Sequence, residues 1–177
     1  MSDANSRPVI GTFVAGIDTP VINERAVRAS AGILFLLGFP AWFYGAITGD
    51  LQFMRLFGIL FASEMMLRLF VGTSYTPSLW LGSLLTRRQR PEWVDAHPKQ
   101  LAWSIGLGMG MAGCLALGWL GLPAAIAQAI CAACLTLLHV EAAFGVCVGC
   151  ALSQRFSRHK PQRCSGDTCN YTPPTHR

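Results

Sequence analysis

Residues 29–48 run for about 20 residues without a charged side chain, enough helix to cross ~30 Å of hydrocarbon. No other feature constrains the fold as much. Backbone in hydrocarbon must satisfy its own hydrogen bonds, which leaves only helices or closed barrels. Three further apolar runs follow, at about 51–71, 102–122 and 124–150. Only 13% of the chain is charged, where a soluble domain carries about 25%. The chain therefore reads as all-α and membrane-integral. The net charge of +5 does not indicate nucleic acid, because the basic residues flank the apolar runs.

Residues 1–25 form a polar lead-in with no convincing signal-peptide cleavage site. Pro40 is expected to kink the first span. The second span carries Arg55, Glu64 and Arg68. Arg55 and Arg68 lie near its ends and are expected to snorkel to the interfaces, while Glu64 lies deeper. In the 72–101 connection, Thr76-Pro77 signals a helix start. Residues 78–90 mix leucines with Arg87, Arg88 and Arg90 and read as a short interfacial amphipathic helix, or as an ordinary loop helix. Gly108 to Gly113 fit a dinucleotide-type glycine pattern, but that motif needs a βαβ unit. Gly106 and Gly110 read instead as a helix-packing face. The membrane domain spans 26–152, and 153–177 is a basic, flexible, cysteine-containing tail. Lys and Arg are missing from both short turns, which places both termini in the cytoplasm.

The chain repeats itself. Each half is an uncharged span, a short turn, and a span carrying ionisable groups, so that Glu64 aligns with Glu141 and Gly72 with Gly149. The expected fold is a four-helix bundle built from two repeated transmembrane hairpins, with a pseudo-two-fold axis along the membrane normal. The repeat places Glu64 and Glu141 at equal depth, about eight residues or ~12 Å before the helix ends. They form either a shared polar site or separately neutralised groups, and Arg68 stands four residues after Glu64, in the favourable order for an ion pair. His139 reads as an interhelical hydrogen bonder.

Seven cysteines, several inside apolar runs, argue against a secreted disulfide framework. Cys147 and Cys150 are the sharpest chemical signal. At a helix end, two cysteines three apart can form a disulfide, carry a persulfide or hold a metal. Cys114 reads as a small buried hydrophobe, and Cys131 and Cys134 as packing residues or a second pair. Cys164 and Cys169 in the tail either complete a four-thiolate metal set with Cys147 and Cys150, or exchange with them as a thiol arm.

Four stretches carry a resemblance: Asn23 to Gly32, Tyr75-Thr76-Pro77, Pro98-Lys99 through Ile105-Gly106, and Phe144 to Cys150. Over residues 22–152 the chain resembles a bacterial family of small four-span membrane proteins, a domain of unknown function whose last span ends in Phe-Cys-x-Gly-Cys. Here Gly145-Val146 separates Phe144 from Cys147. The resemblance implies the four-span architecture, a bacterial inner-membrane location, and weight on Cys147 and Cys150. Some family genes neighbour thioredoxin-like or sulfurtransferase genes, which makes such a protein an expected partner by association.

Three functions follow as expectations. The first is a thiol-based redox or sulfur relay on Cys147 and Cys150, with Glu64 and Glu141 as polar intramembrane groups. The second is soft-metal handling of Zn, Cu or Hg through Cys147, Cys150, Cys164 and Cys169. The third is an accessory subunit of a homo-oligomer or larger membrane complex. No haem-ligand pair, nucleotide loop or hydrolytic triad is evident, so no cofactor is named.

Overall fold

The computed structural model describes residues 10–14, 19–118, 123–149 and 151–152. Cys150, Cys164, Cys169, the rest of the tail, and most of the second short turn lie outside the described residues. Within them the chain is mostly helical. A strand β1 (Val21–Asn23) leads into α1 (Glu24–Thr48), and Asn23 caps that helix by accepting from the Arg25 N–H at 3.2 Å. Gly49, at φ 74°, ends it in the left-handed conformation that a glycine adopts without a Cβ clash.

The second helix, α2 (Gln52–Met66), passes into a five-residue π-turn, Leu67–Val71, whose end is marked by a Gly72 N–H donating to the Leu67 carbonyl at 2.8 Å. A 3₁₀ turn (Thr73–Tyr75) leads into α3 (Pro77–Thr86), with Pro77 in the first helical turn. Strand β2 (Trp93–Asp95) then enters α4 (Ala96–Gly118), and α5 (Ala124–Phe144) completes the set.

Three helices are long and apolar enough to cross a membrane: Glu24–Thr48, Ala96–Leu117 and Ala124–Phe144. The four expected runs are thus not four uninterrupted α-helices, because the second changes its hydrogen-bonding pattern at Leu67. Large apolar side chains such as Leu36, Ile47, Leu56, Ile59, Phe70 and Phe144 stand exposed along the helices, consistent with lipid contact.

Helix boundaries also move. α1 and α4 begin five and six residues before the apolar runs, at Glu24 and Ala96 rather than near 29 and 102. Each starts directly from a strand, and β1 and β2 pair antiparallel with Ile22 opposite Val94. The last helix stops at Phe144 rather than near 150.

The segment expected at the interface is α3, which ends at Thr86 and docks along the first turns of α1. Ser30 and Ser78 hydroxyls meet at 2.8 Å in the buried seam. A Cβ on Gly82 would collide with the Ala26 carbonyl oxygen, so glycine is what permits the close approach.

The core lies among α1, α2, α4 and α5 and centres on Leu34, Phe57, Phe61, Met65, Leu135 and Leu138. Helices α1 and α5 pack together, as do α2 and α4, so the two hairpins interlock crosswise. Gly38 and Gly110 stand equally far along α1 and α4, and each leaves room for a phenyl ring from α2, Phe57 and Phe61 respectively. The glycine-rich stretch of α4 is therefore a packing face inside a helix.

Candidate functional site

The polar chemistry gathers at one end of the bundle, where α1 and α4 start and α2 and α5 finish. Two buried ionic clusters lie there. In the first, Arg68 is 2% and Glu64 6% exposed, and they pair at 3.5 Å. Arg68 Nη2 also donates to Ser30 Oγ at 2.5 Å and to Ser78 Oγ at 2.6 Å. Glu64 Oε1 accepts from the Ser78 N–H at 3.1 Å and from the Ser78 hydroxyl. The first turn of α3 thus supplies an N-terminal backbone donor and a hydroxyl to a buried carboxylate.

Arg68 does not snorkel. The π-turn and the docked α3 enclose it, and the Glu64 carboxylate compensates its charge.

The second cluster was not evident in the sequence. Lys99, in the first turn of α4, is 1% exposed. Its Nζ lies 2.8 Å from Glu24 at the start of α1 and 2.8 Å from Glu141 in the last turn of α5. One ammonium therefore ties three helices from both halves of the chain. The helix starts at Glu24 and Ala96 draw Glu24 and Lys99 into the protein, whereas the apolar runs alone place both outside it.

Glu64 and Glu141 are consequently not one shared carboxylate site. Each has its own cation. Glu141 is also shallower in its helix than the repeat predicts, because α5 ends three residues later.

That early end comes from Gly145. At φ 68° it adopts the left-handed cap, and its N–H donates to the Glu141 carbonyl at 3.0 Å. Arg28 of α1 satisfies the last carbonyls, donating to Ala142 O at 3.3 Å and Ala143 O at 3.1 Å. A cation at a helix C-terminus also offsets the placement of an acid there.

Cys147 is therefore not on a continuous helix end. It lies past the break and opens a fresh turn, in which the Ala151 N–H donates to its carbonyl at 3.0 Å. Gly149 sits against Ala102 of α4 with no space for a Cβ, which holds this turn on the bundle. Cys147 itself is buried.

Beneath the turn is a cavity of about 70 Å³ whose wall includes Arg68, Trp103, Cys134, Glu141 and Cys147. Glu141 thus faces the same space as Cys147, while Glu64 reaches it only through Arg68. The Arg68 guanidinium stacks on the Trp103 indole, with Cζ 5.2 Å from a ring centroid.

Toward the opposite end, a second cavity of about 40 Å³ is walled in part by Cys114, Cys131, Cys134, Met54 and Met109. Among the described residues no three His, Cys, Asp or Glu side chains are grouped to hold a metal ion. His139 contacts the Phe35 and Phe144 rings at 5.0 and 6.4 Å between centroids. Arg55 is exposed and donates to the Leu117 carbonyl at 3.1 Å.

A family model described as a domain of unknown function, DUF4395, matches residues 22–158. No curated protein and no solved structure matches the chain.

Proposed function

We propose a thiol-based redox or sulfur relay as the role of this chain, which belongs to the DUF4395 family, a domain of unknown function. The carrying observation is the burial of Cys147 in the wall of a cavity that also holds Arg68, Glu141 and Cys134. The cavity gives a small reactant a buried place against the Cys147 thiol. In this reading the protein is a four-span bundle in a bacterial inner membrane, α2 and its π-turn together making the second span, with both termini in the cytoplasm.

In the redox form, Cys147 and Cys150 give two electrons and two protons to the disulfide of a thioredoxin-like partner, which becomes a dithiol. In the sulfur form, Cys147 carries a persulfide whose outer sulfur passes to an acceptor thiol. The test is thiol-state trapping in native membranes with alkylating and persulfide-selective reagents. The reading expects a disulfide or persulfide at Cys147 that is lost in Cys147→Ser. A free thiol under every growth condition would refute it.

Soft-metal handling is the second reading. It is favoured by the thiols and thioethers of Cys114, Cys131, Cys134, Met54 and Met109 around one cavity. Near-stoichiometric Cu or Zn in protein purified with its metal, lost in a Cys131→Ser/Cys134→Ser variant, would select it over the relay. Full cellular function in a Cys147→Ser/Cys150→Ser double variant would exclude the relay, and full function with Cys131 and Cys134 also replaced would leave only the accessory-subunit reading.

A further inference from the structure

We infer that the cavity beneath Cys147 binds a small monoanionic sulfur species, hydrosulfide being the type, between the N–H groups of Arg68 and Trp103. The inference rests on the sulfur-relay reading and names its substrate class. It begins with two unmade hydrogen bonds. Arg68 Nε and Trp103 Nε1 are buried donors with no partner among the described residues, on side chains of residues 2% and 3% exposed. All the Arg68 side-chain bonds to Glu64, Ser30 and Ser78 leave from Nη2. Leaving a buried donor unpaired is costly, and two such donors in one place call for an acceptor.

The two donors belong together. Their side chains stack at 5.2 Å, and both stand in the wall of the same cavity. Its volume of about 70 Å³ admits a species of few atoms.

The rest of the wall selects the kind of anion. Phe61, Met65, Met109 and Cys134 are apolar or polarizable and offer little to a strongly hydrated ion. Glu141 adds a carboxylate to the wall. In such a wall a strongly hydrated dianion such as sulfate loses more solvation than two donors return, whereas a soft monoanion keeps one acceptor for two donors at small desolvation cost.

Cys147 in the same wall gives such a ligand a reaction. Hydrosulfide attacks Cys147 Sγ in a mixed disulfide with a partner protein's thiol. One S–S bond forms and one breaks, the electron pair leaves with the partner sulfur as thiolate, and Cys147 is left as a persulfide. The oxidant is the partner protein's disulfide, which the Cys147 thiol opens by exchange to form the mixed disulfide, releasing the partner's other sulfur as a thiol.

Free hydrosulfide and the outer sulfur of a Cys147 persulfide present the same chemistry to these donors, and the full-length Cys147→Ser protein separates them. It would be titrated anaerobically with sodium hydrosulfide in lipid nanodiscs by calorimetry, with sodium sulfate as control. The expected result is saturable hydrosulfide binding, no sulfate binding, and affinity lowered at least roughly tenfold on adding Trp103→Phe. Arg68→Lys keeps the charge, removes Nε–H, and is expected to weaken binding likewise. Absence of saturable binding, or isotherms unchanged by both substitutions, would overturn the site. Binding to Cys147→Ser does not depend on the relay, so the relay can fail in the trapping experiment while the anion site stands, and the reverse.

Discussion

Replacing Lys99 with methionine tests the ionic clasp most directly. The substitution keeps a long unbranched side chain and removes the charge. Each of the two contacts is 2.8 Å long, worth ~6 kcal/mol of attraction at an effective dielectric of about 20. Desolvation of buried Lys99 and Glu24, and in part of Glu141, takes back several kcal/mol per buried ion, so the net value of the cluster is small. Removing only the cation is different, because it leaves the buried Glu24 carboxylate and the part-buried Glu141 without compensation. The expected loss is about 3–5 kcal/mol, or a midpoint lowered by roughly 6–20 °C in a chain of this size.

The assay is thermal unfolding in nanodiscs, followed by tryptophan fluorescence at one scan rate. Adding Glu141→Gln to Lys99→Met should then recover part of the loss, with a coupling of about 0.5–3 kcal/mol. A Lys99→Met midpoint within about 2 °C of the parent, or a double variant no better than the sum of its parts, would refute the reasoning.

Other outcomes follow from the packing. Gly82→Ala should loosen α3 from α1, since its Cβ meets the Ala26 carbonyl; about 1–3 kcal/mol of overpacking cost is expected, with faster hydrogen exchange in 77–86. Gly145→Ala forces a left-handed Cβ, which also lies 3.0 Å from Arg28 Nη1; it should cost about 1–2 kcal/mol and raise the alkylation rate of Cys147. Cys147, at 8% exposure, should react slowly with a bulky maleimide in intact membranes and rapidly after denaturation; equal rates would contradict its burial. Arg28→Ala should speed the native reaction, because the C-terminal carbonyls of α5 lose their donor.

Much of the helical content was legible, because uncharged runs of membrane length admit few alternatives. The Glu64–Arg68 pair was legible too, as an i,i+4 relation is local. The glycines of α4 were readable as packing, though not the phenyl ring they receive. What stayed hidden was non-local. Lys99 joins Glu24 and Glu141 across 75 and 42 positions, and only the crosswise docking of the hairpins brings them together. Three-residue strands are too short to show alternation. The Leu67 π-turn leaves no apolar-period signature either, and it is what turns Arg68 inward rather than toward an interface. At Phe144 the inserted Gly145-Val146 was visible, but its meaning depended on Gly145 taking a positive φ.

The strand pair has a consequence for how such a chain can exist at all. β1 and β2 come from different halves, and α1 rests on α5 while α2 rests on α4. Each half thus presents a surface to the other half, alongside the contacts that each hairpin and α3 make within their own half. The chain is in effect a dimer on a single tether. Cut in the exposed stretch 87–91 and coexpressed, its two pieces would have every reason to find each other, because the buried Glu24 of one piece has its cation, Lys99, on the other.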